Sequence, residues 1–330
     1  MFKRFFNAKG EIDWSIVFVV LMLAIIGLAS IYVAATHDAT GINVKRMVAM
    51  QFIYYVLGVV VVIFIMQFDS EQLWRLAPYI FGIGVFLMVT VLIFYSRAYA
   101  AQTGGKSWFA LGPLTFQPSE VMKPAFIVML ARVIAKHNYD YPEHTIKSDE
   151  RLLLKIIAWT IPIVILVLAQ HDFGTMLVFL AIVFGMTIVS GISWKILGPI
   201  FMVAATIGTV TLLLVTQTWG RHILEQFGFQ AYQFSRVDSW LDPQWDTSNA
   251  GYQLWQSIKA IGSGGLTGTG FDVSHVNVPV RESDMIFSVI GENFGFIGSV
   301  LVLALYFLLI YQIFQVVYDT SNQFYAYIAA

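Results

Sequence analysis

Cysteine is absent from the 330 residues, which excludes disulfides, thiolate metal sites and a cysteine nucleophile. Any chemistry therefore falls to carboxylates, amines and hydroxyls. Charge is scarce too: Asp, Glu, Lys and Arg make up 12% of the chain, against roughly a quarter in an ordinary soluble domain. The 19 basic and 20 acidic residues nearly cancel, leaving a formal net charge of −1. Without a basic stripe, nothing points to a nucleic-acid partner. The six histidines (His37, His137, His144, His171, His222 and His275) are scattered and show no metal-ligand spacing such as a helical i, i+4 pair. There is no Gly-x-Ser-x-Gly elbow for a serine hydrolase. Nor is there a visible internal repeat of the kind that transporters with inverted halves show.

What fills the chain is apolar surface, 58% of residues, in runs that repeatedly reach the roughly 20 residues needed to cross a bilayer core. The first run, 15–35, is about twice the length of a signal-peptide core and lacks a small-residue cleavage site, so it reads as a retained anchor. Spans are expected near 15–35, 48–66, 76–95, 116–135, 152–169, 173–192, 196–215 and 285–317. The last of these exceeds one crossing, as a tilted or prolonged helix would. A ninth apolar segment begins at Phe324 and stops at Ala330. Seven residues cannot span, so the bundle reads as truncated. Lys3, Arg4, Lys9, Arg75, Arg132, Lys136, Lys147, Arg151, Lys155 and Lys195 fall at one set of loop ends. Only Lys45, Arg46, Arg97 and Lys106 fall at the other. That bias places the N-terminus in the cytoplasm, and the long loop 216–284 outside.

The outer loop is where chemistry is expected. It carries aromatics, Pro243 and many glycines, unlike a solvated low-complexity run. Its Gly-rich stretch Ala260-Ile-Gly-Ser-Gly-Gly-Leu-Thr-Gly-Thr-Gly270 serves either turn geometry or the cradling of a phosphate by backbone amides, although it lacks a P-loop ending. Asp284 stands where the loop meets the eighth span. A carboxylate there fits a proton acceptor at the water–lipid boundary, or the cap of the following helix. Glu292, eight residues on, falls near the same helical face about 12 Å deeper, and its plain reading is a partner for another buried polar group.

Ionisable residues within spans are functional candidates by default. Gln117-Pro-Ser-Glu-Val-Met-Lys-Pro124 sets Glu120 and Lys123 three apart, in reach of each other. In Gln170-His-Asp-Phe-Gly-Thr175, Asp172 either caps the sixth helix or faces an outer cavity. In Gly104-Gly-Lys-Ser-Trp-Phe-Ala-Leu-Gly-Pro113, Trp108 fits an interfacial anchor and Lys106 a phosphate contact.

These segments, taken in order, resemble the SEDS (shape, elongation, division, sporulation) family. The resemblance rests on Asp13-Trp-Ser15, Gly105-Lys-Ser-Trp-Phe109, Gln117-Pro-Ser-Glu120 with Lys123, and Gln170-His-Asp-Phe-Gly-Thr175. It continues through Trp240-Leu-Asp-Pro243, Gly251-Tyr-Gln253, Ala260-Ile-Gly-Ser-Gly-Gly265 and Glu282-Ser-Asp-Met-Ile-Phe287 with Gly291-Glu292. The chain looks more like the RodA, or elongation, branch than the FtsW, or division, branch. The resemblance implies an all-α polytopic membrane protein of ten spans, here eight complete and a truncated ninth, forming one transmembrane domain over 1–330. It also implies a bacterial plasma-membrane glycosyltransferase that polymerises lipid II, the undecaprenyl-pyrophosphate-linked disaccharide pentapeptide, for cell elongation and shape. A class B penicillin-binding protein and other elongation-complex membrane proteins are the partners it implies. Carried over by motif, Asp284 matches the family's essential aspartate and Trp108, Glu120 and Lys123 match functionally important positions. Met285 replaces the usual phenylalanine. With Asp284 as base, the leaving pyrophosphate calls for Lys106, Arg236, Arg281 or a divalent cation such as Mg2+ or Mn2+. The competing readings are a flippase for the lipid-linked precursor, an FtsW-type polymerase and a non-catalytic scaffold.

Overall fold

A computed structural model describes residues 12–37, 43–111, 114–143, 145–226, 229, 231–249 and 251–330. The first eight elements in chain order are α1 (Trp14–Thr36), α2 (Val44–Ile65), α3 (Ser70–Phe94), α4 (Arg97–Thr103), β1 (Phe109–Leu111), β2 (Leu114–Phe116), α5 (Pro118–Asp140) and α6 (Ile146–Gln170). They are followed by α7 (Phe173–Val189), α8 (Trp194–Thr216), α9 (Thr218–Gln226), α10 (Ala231–Leu241), α11 (Tyr252–Ser263), α12 (Ile286–Asp319) and α13 (Gln323–Ala329). Each of the eight expected spans is a helix. Six of them (α1, α2, α3, α6, α8 and α12) are long and apolar enough to cross a membrane. The other two depart from that standard for visible reasons: α7 has 17 residues, and α5 carries Glu120, Lys123, Arg132 and Lys136 along its length. The chain is a multi-pass membrane protein.

Helix starts follow local chemistry. Asp13 accepts from the Ser15 amide and hydroxyl at 2.8 and 2.6 Å, and these bonds hold its carboxyl below the usual range. Thr145 caps α6, Asp172 caps α7 and Asn322 caps α13. Inside the apolar helices, Ser30, Thr160 and Thr187 turn their hydroxyls onto the carbonyl four residues back, at 2.8, 2.7 and 2.6 Å. In a lipid environment that satisfies a donor which water cannot reach.

The chain divides into two compact units. One comprises Ile65–Val203 and Ile313–Ala330. Its core is formed by Phe81, Met88, Met122, Phe126, Leu130, Leu152, Ile156 and Phe179, drawn from α3, α5, α6 and α7. Phe81 meets Trp159 edge-on at 5.1 Å and Phe126 meets Phe179 at 5.8 Å. The one strand pair among the described residues, β1–β2, sits in this unit as a short antiparallel hairpin with Phe109 opposite Phe116, an addition to the all-helical expectation. The segment beginning at Phe324, expected as the start of a ninth span, forms α13. It lies against α5 and the start of α3: Phe324 meets Trp74 edge-on at 5.2 Å, and Asn138 Nδ2 donates to Tyr327 Oη at 2.9 Å.

The other unit comprises Met1–Phe64 and Ala204–Gln312. Val33 and Ala34 of α1 pack on Val289 of α12, while Val215, Leu224 and Phe234 join α8, α9 and α10 in a small apolar cluster. Arg221 ties that cluster together, pairing with Asp238 at 2.5 Å and donating from Nε to the Val215 carbonyl at 2.6 Å. No residue of α2 is buried, as expected of a helix solvated by lipid tails. The long final span is neither simply tilted nor prolonged. Gly295, at φ 64° and ψ −157°, breaks α12 into two helical segments, a conformation that only glycine adopts readily.

Candidate active site

The candidate residues fall into two groups, one in each unit. In the unit built on α3, α5, α6 and α7, three loop segments converge. The Lys106 amide donates to the Gln170 carbonyl at 2.8 Å and the Ser96 amide to the Trp108 carbonyl at 2.8 Å. Gln117 Nε2 donates to Asp172 Oδ2 at 2.8 Å, while Asp172 Oδ1 accepts from the Thr175 amide at 3.1 Å. Asp172 therefore caps α7 and joins two loops at once. Gln170 is buried and donates to the Met88 carbonyl at 3.2 Å, fixing the corner from beneath. Trp108, half-buried, stacks on Tyr99 with ring centres 6.1 Å apart. Lys106 is exposed, its ammonium 5.5 Å from the centre of the Tyr95 ring. Glu120 and Lys123 pair at 2.8 Å, the i, i+3 contact that their spacing implied.

The second group surrounds the start of α12. Asp284 lies in a turn before the helix, its side chain exposed. Two bonds shape this turn, from the Ser283 amide to the Val280 carbonyl and from the Ile286 amide to the Ser283 carbonyl, both 3.3 Å. Val280 adopts φ 52°, an unusual conformation for a β-branched residue. Among the described residues the Asp284 carboxylate makes no hydrogen bond or ion pair, so it is not the cap of α12. Asp284 and Glu292 also do not share one helical face, because Asp284 precedes the helix altogether.

Glu292 is fully buried and Arg281 is 2% exposed. They bond to each other, Arg281 Nη2 to Glu292 Oε2, at 2.9 Å. Glu292 Oε1 accepts the amides of His275 and Val276 at 2.6 and 3.1 Å, and Arg281 Nη1 donates to Ser274 Oγ at 2.5 Å. Glu292 is thus the partner of a buried polar group, and its counter-ion is Arg281. Nothing in the sequence marked Ser274, His275 or Val276, since two of the three contacts are through backbone amides. Arg236 lies on the exposed face of α10.

The Gly-rich stretch resolves in favour of backbone packing. The Thr269 amide donates to the Glu292 carbonyl at 2.9 Å and the Gly270 amide to the Asn293 carbonyl at 3.3 Å. In return, Gly265 and Leu266 accept from the Phe296 and Ile297 amides at 2.9 and 3.1 Å. These four bonds bracket the break at Gly295, where α12 forfeits its own ladder. The Thr269 and Gly270 amides, committed this way, are not free to cradle a phosphate. Among the described residues no cluster of three or more His, Asp or Glu side chains is arranged to hold a metal.

Comparison with known proteins shows what the whole chain is similar to. MrdB of Escherichia coli K12, a peptidoglycan glycosyltransferase, is 34% identical over 315 residues, covering 93% of this chain and 76% of its own. A probable peptidoglycan glycosyltransferase, FtsW of Alkalilimnicola ehrlichii, is 29% identical over 306 residues, covering 91% and 70%. Among solved structures, a chain of a peptidoglycan synthase complex that coordinates polymerization and crosslinking superposes with a TM-score of 0.71, at 24% identity and covering 96% of this chain and 81% of that one. The rod shape determining protein RodA of Thermus thermophilus gives 0.59, also at 24% identity and covering 96% and 80%. The pattern of the cell cycle proteins, FTSW_RODA_SPOVE, matches residues 13–330. The chain belongs to that family, the SEDS family, and stands on its RodA-like side.

Proposed function

We propose that this chain is a peptidoglycan glycosyltransferase that polymerises lipid II, with Asp284 as its general base. One observation carries the assignment of the base. The motif carries three carboxylates before and within the start of α12: Glu292 is buried and bonded on both oxygens, Glu282 is half-buried, and Asp284 is exposed and makes no bond among the described residues. Only an unoccupied carboxylate is free to accept a substrate's proton. In the reaction, Asp284 takes the proton of the acceptor sugar's 4-hydroxyl as that oxygen attacks the donor's anomeric carbon. The bond from that carbon to the lipid pyrophosphate breaks, and the pyrophosphate leaves with the electron pair. Positioned proton transfer of this kind contributes about 10²–10⁴-fold.

Negative charge growing on the leaving group needs cationic or metal partners. Arg281 is committed to Glu292, and Arg236, exposed on α10 of the same unit, is the arginine proposed to face the pyrophosphate. Lys106, Trp108, Glu120, Lys123 and Asp172 are proposed contacts to the lipid-linked substrate. The excess of lysine and arginine at one set of loop ends supports a cytoplasmic N-terminus, with 216–284 and the site facing outward. A class B penicillin-binding protein is the proposed crosslinking partner.

The test is polymerisation of labelled lipid II by the full-length purified protein and by its Asp284→Asn variant. Glycan strands from the wild type and none from the variant, at equal yield of folded protein, are expected. Polymerisation by Asp284→Asn at the wild-type rate would remove Asp284 from the role of base. Movement of lipid II across vesicles without polymer from either protein would replace the enzyme with a flippase.

A further inference from the structure

The buried pair Arg281 and Glu292 is not needed by the chemistry just described, and neither side chain is open to substrate. Its location in the chain gives it another occupation. Arg281 comes three residues before Asp284, and Glu292 lies on the helical segment that begins two residues after it. Their 2.9 Å contact therefore closes a ring of backbone in which Asp284 is the exposed carboxylate. The same Glu292 side chain reaches past Arg281 to the amides of His275 and Val276, while Arg281 reaches Ser274. One carboxylate thus anchors both ends of 274–281 to the first segment of α12. The free choice left to the chain is the short turn 281–285, in which Val280 holds a left-handed φ of 52° at the entry. That conformation persists only where the surroundings over-determine it.

We infer that Arg281 and Glu292 are positioning residues, which act by holding the turn that presents Asp284. This inference rests on the reading of Asp284 as the base. A buried charge pair is an indifferent source of stability compared with apolar side chains of the same volume. It is, however, directional, since carboxylate and guanidinium meet in a fixed geometry. A base that drifts by about 1 Å loses on the order of 10²-fold in rate. Binding of a substrate held elsewhere is left intact. The pair therefore governs kcat rather than KM.

The experiment uses the full-length protein, with lipid II polymerisation rates measured across substrate concentration and pH, and folding followed by monodispersity and thermal midpoint. Glu292→Gln keeps the side chain's size and an acceptor for the two amides but removes its charge. It is expected to lower kcat about 10²-fold with KM within about twofold, and to displace the acidic limb of the kcat profile. Arg281→Lys, which keeps the charge but loses the fork, is expected to lower kcat about tenfold with KM unchanged. Wild-type kcat in folded Glu292→Gln would overturn the proposal, as would a raised KM at unchanged kcat, which would mark a substrate contact instead. Should Glu292→Gln fail to fold, Arg281→Lys decides alone. If both variants fail to fold, the pair builds the fold rather than the site, and the inference falls. These outcomes are separable from the base assignment. Inactive Asp284→Asn alongside fully active Glu292→Gln sinks only the positioning role, while fully active Asp284→Asn sinks the base whatever the pair does.

Discussion

Gly264 backs directly onto the carbonyl of Gly291, with no room for even a methyl group between them. The two belong to segments almost thirty residues apart, and their approach lets 262–270 lie along the broken part of α12. Alanine at Gly264 is expected to force that contact open and destabilise the protein by about 1–3 kcal/mol, the usual range for overpacking. Gly268→Ala meets the Asn293 carbonyl and also holds φ at 87°, so strain of about 1–3 kcal/mol adds to the clash. Gly262, in α11, has nothing within 4 Å of its would-be Cβ, and Gly262→Ala is expected to be neutral or to stabilise by about 0.5–1 kcal/mol. Thermal midpoints of the three variants in detergent check the order. Equal midpoints for Gly262→Ala and Gly264→Ala would refute the packing account.

Asp172 separates a structural role from a chemical one. As the cap of α7 it needs only an acceptor oxygen, which Asn supplies. Asp172→Ala is therefore expected to cost about 1 kcal/mol, together with the bond from Gln117, whereas Asp172→Asn keeps the cap through its oxygen and, with the Gln117 amide turned over to accept from the Asn NH2, is expected to fold with near-native stability. If the negative charge touches substrate, polymerisation falls in Asp172→Asn despite intact folding. If Asp172 only joins the loops, Asp172→Asn retains activity and Asp172→Ala loses it in step with stability. Thermal midpoint and lipid II polymerisation measured on the same samples distinguish the two.

The helices were legible because lipid imposes a coarse and redundant signal: twenty apolar residues in a row, repeated, with lysine and arginine at the ends. The pairing of Glu120 with Lys123 was legible for a similar reason, since three residues of helix fix their distance. What stayed hidden was decided by contacts across sequence separation. The break at Gly295 is stabilised by amides donated to Gly265 and Leu266, about thirty residues away, and nothing in the sequence sets Gly295 apart from Gly291 and Gly298 beside it. Likewise Glu292 could be read as needing a partner, but Arg281 becomes that partner only because α12 starts after Asp284 instead of before it.

Asp13 offers a test of pH dependence outside the membrane-spanning segments. Its carboxyl is held low first by the Ser15 hydroxyl and then by the Ser15 amide. A depressed folded value means that the stabilisation is fully present above the ordinary carboxylate range and is lost as pH falls through the lowered value. The first turn of α1 is thus expected to fray in acid. Hydrogen exchange of the Ser15 and Ile16 amides, corrected for the intrinsic effect of pH, checks this against Asp13→Asn, whose acceptor does not titrate. The same acid response in both proteins would refute the assignment to Asp13.

Phe324 tests whether α13 is held by docking alone. Phe324 is 3% exposed, wedged edge-on against Trp74. Truncating a buried phenylalanine to alanine costs about 3–5 kcal/mol. Phe324→Ala is therefore expected to release α13 while α3 and α5 remain packed. Tyr327→Phe is the milder change. It removes the acceptor for Asn138 Nδ2, but that group keeps its 2.8 Å bond to the Ser190 carbonyl, so the loss is about 1 kcal/mol. Hydrogen exchange over 323–329 is expected to be fast in Phe324→Ala and only modestly raised in Tyr327→Phe, with protection of α5 unchanged in both. Loss of protection throughout α5 in Phe324→Ala would mean that α13 is a cooperative part of the core formed by Phe81, Met122 and Phe126, and not a docked segment.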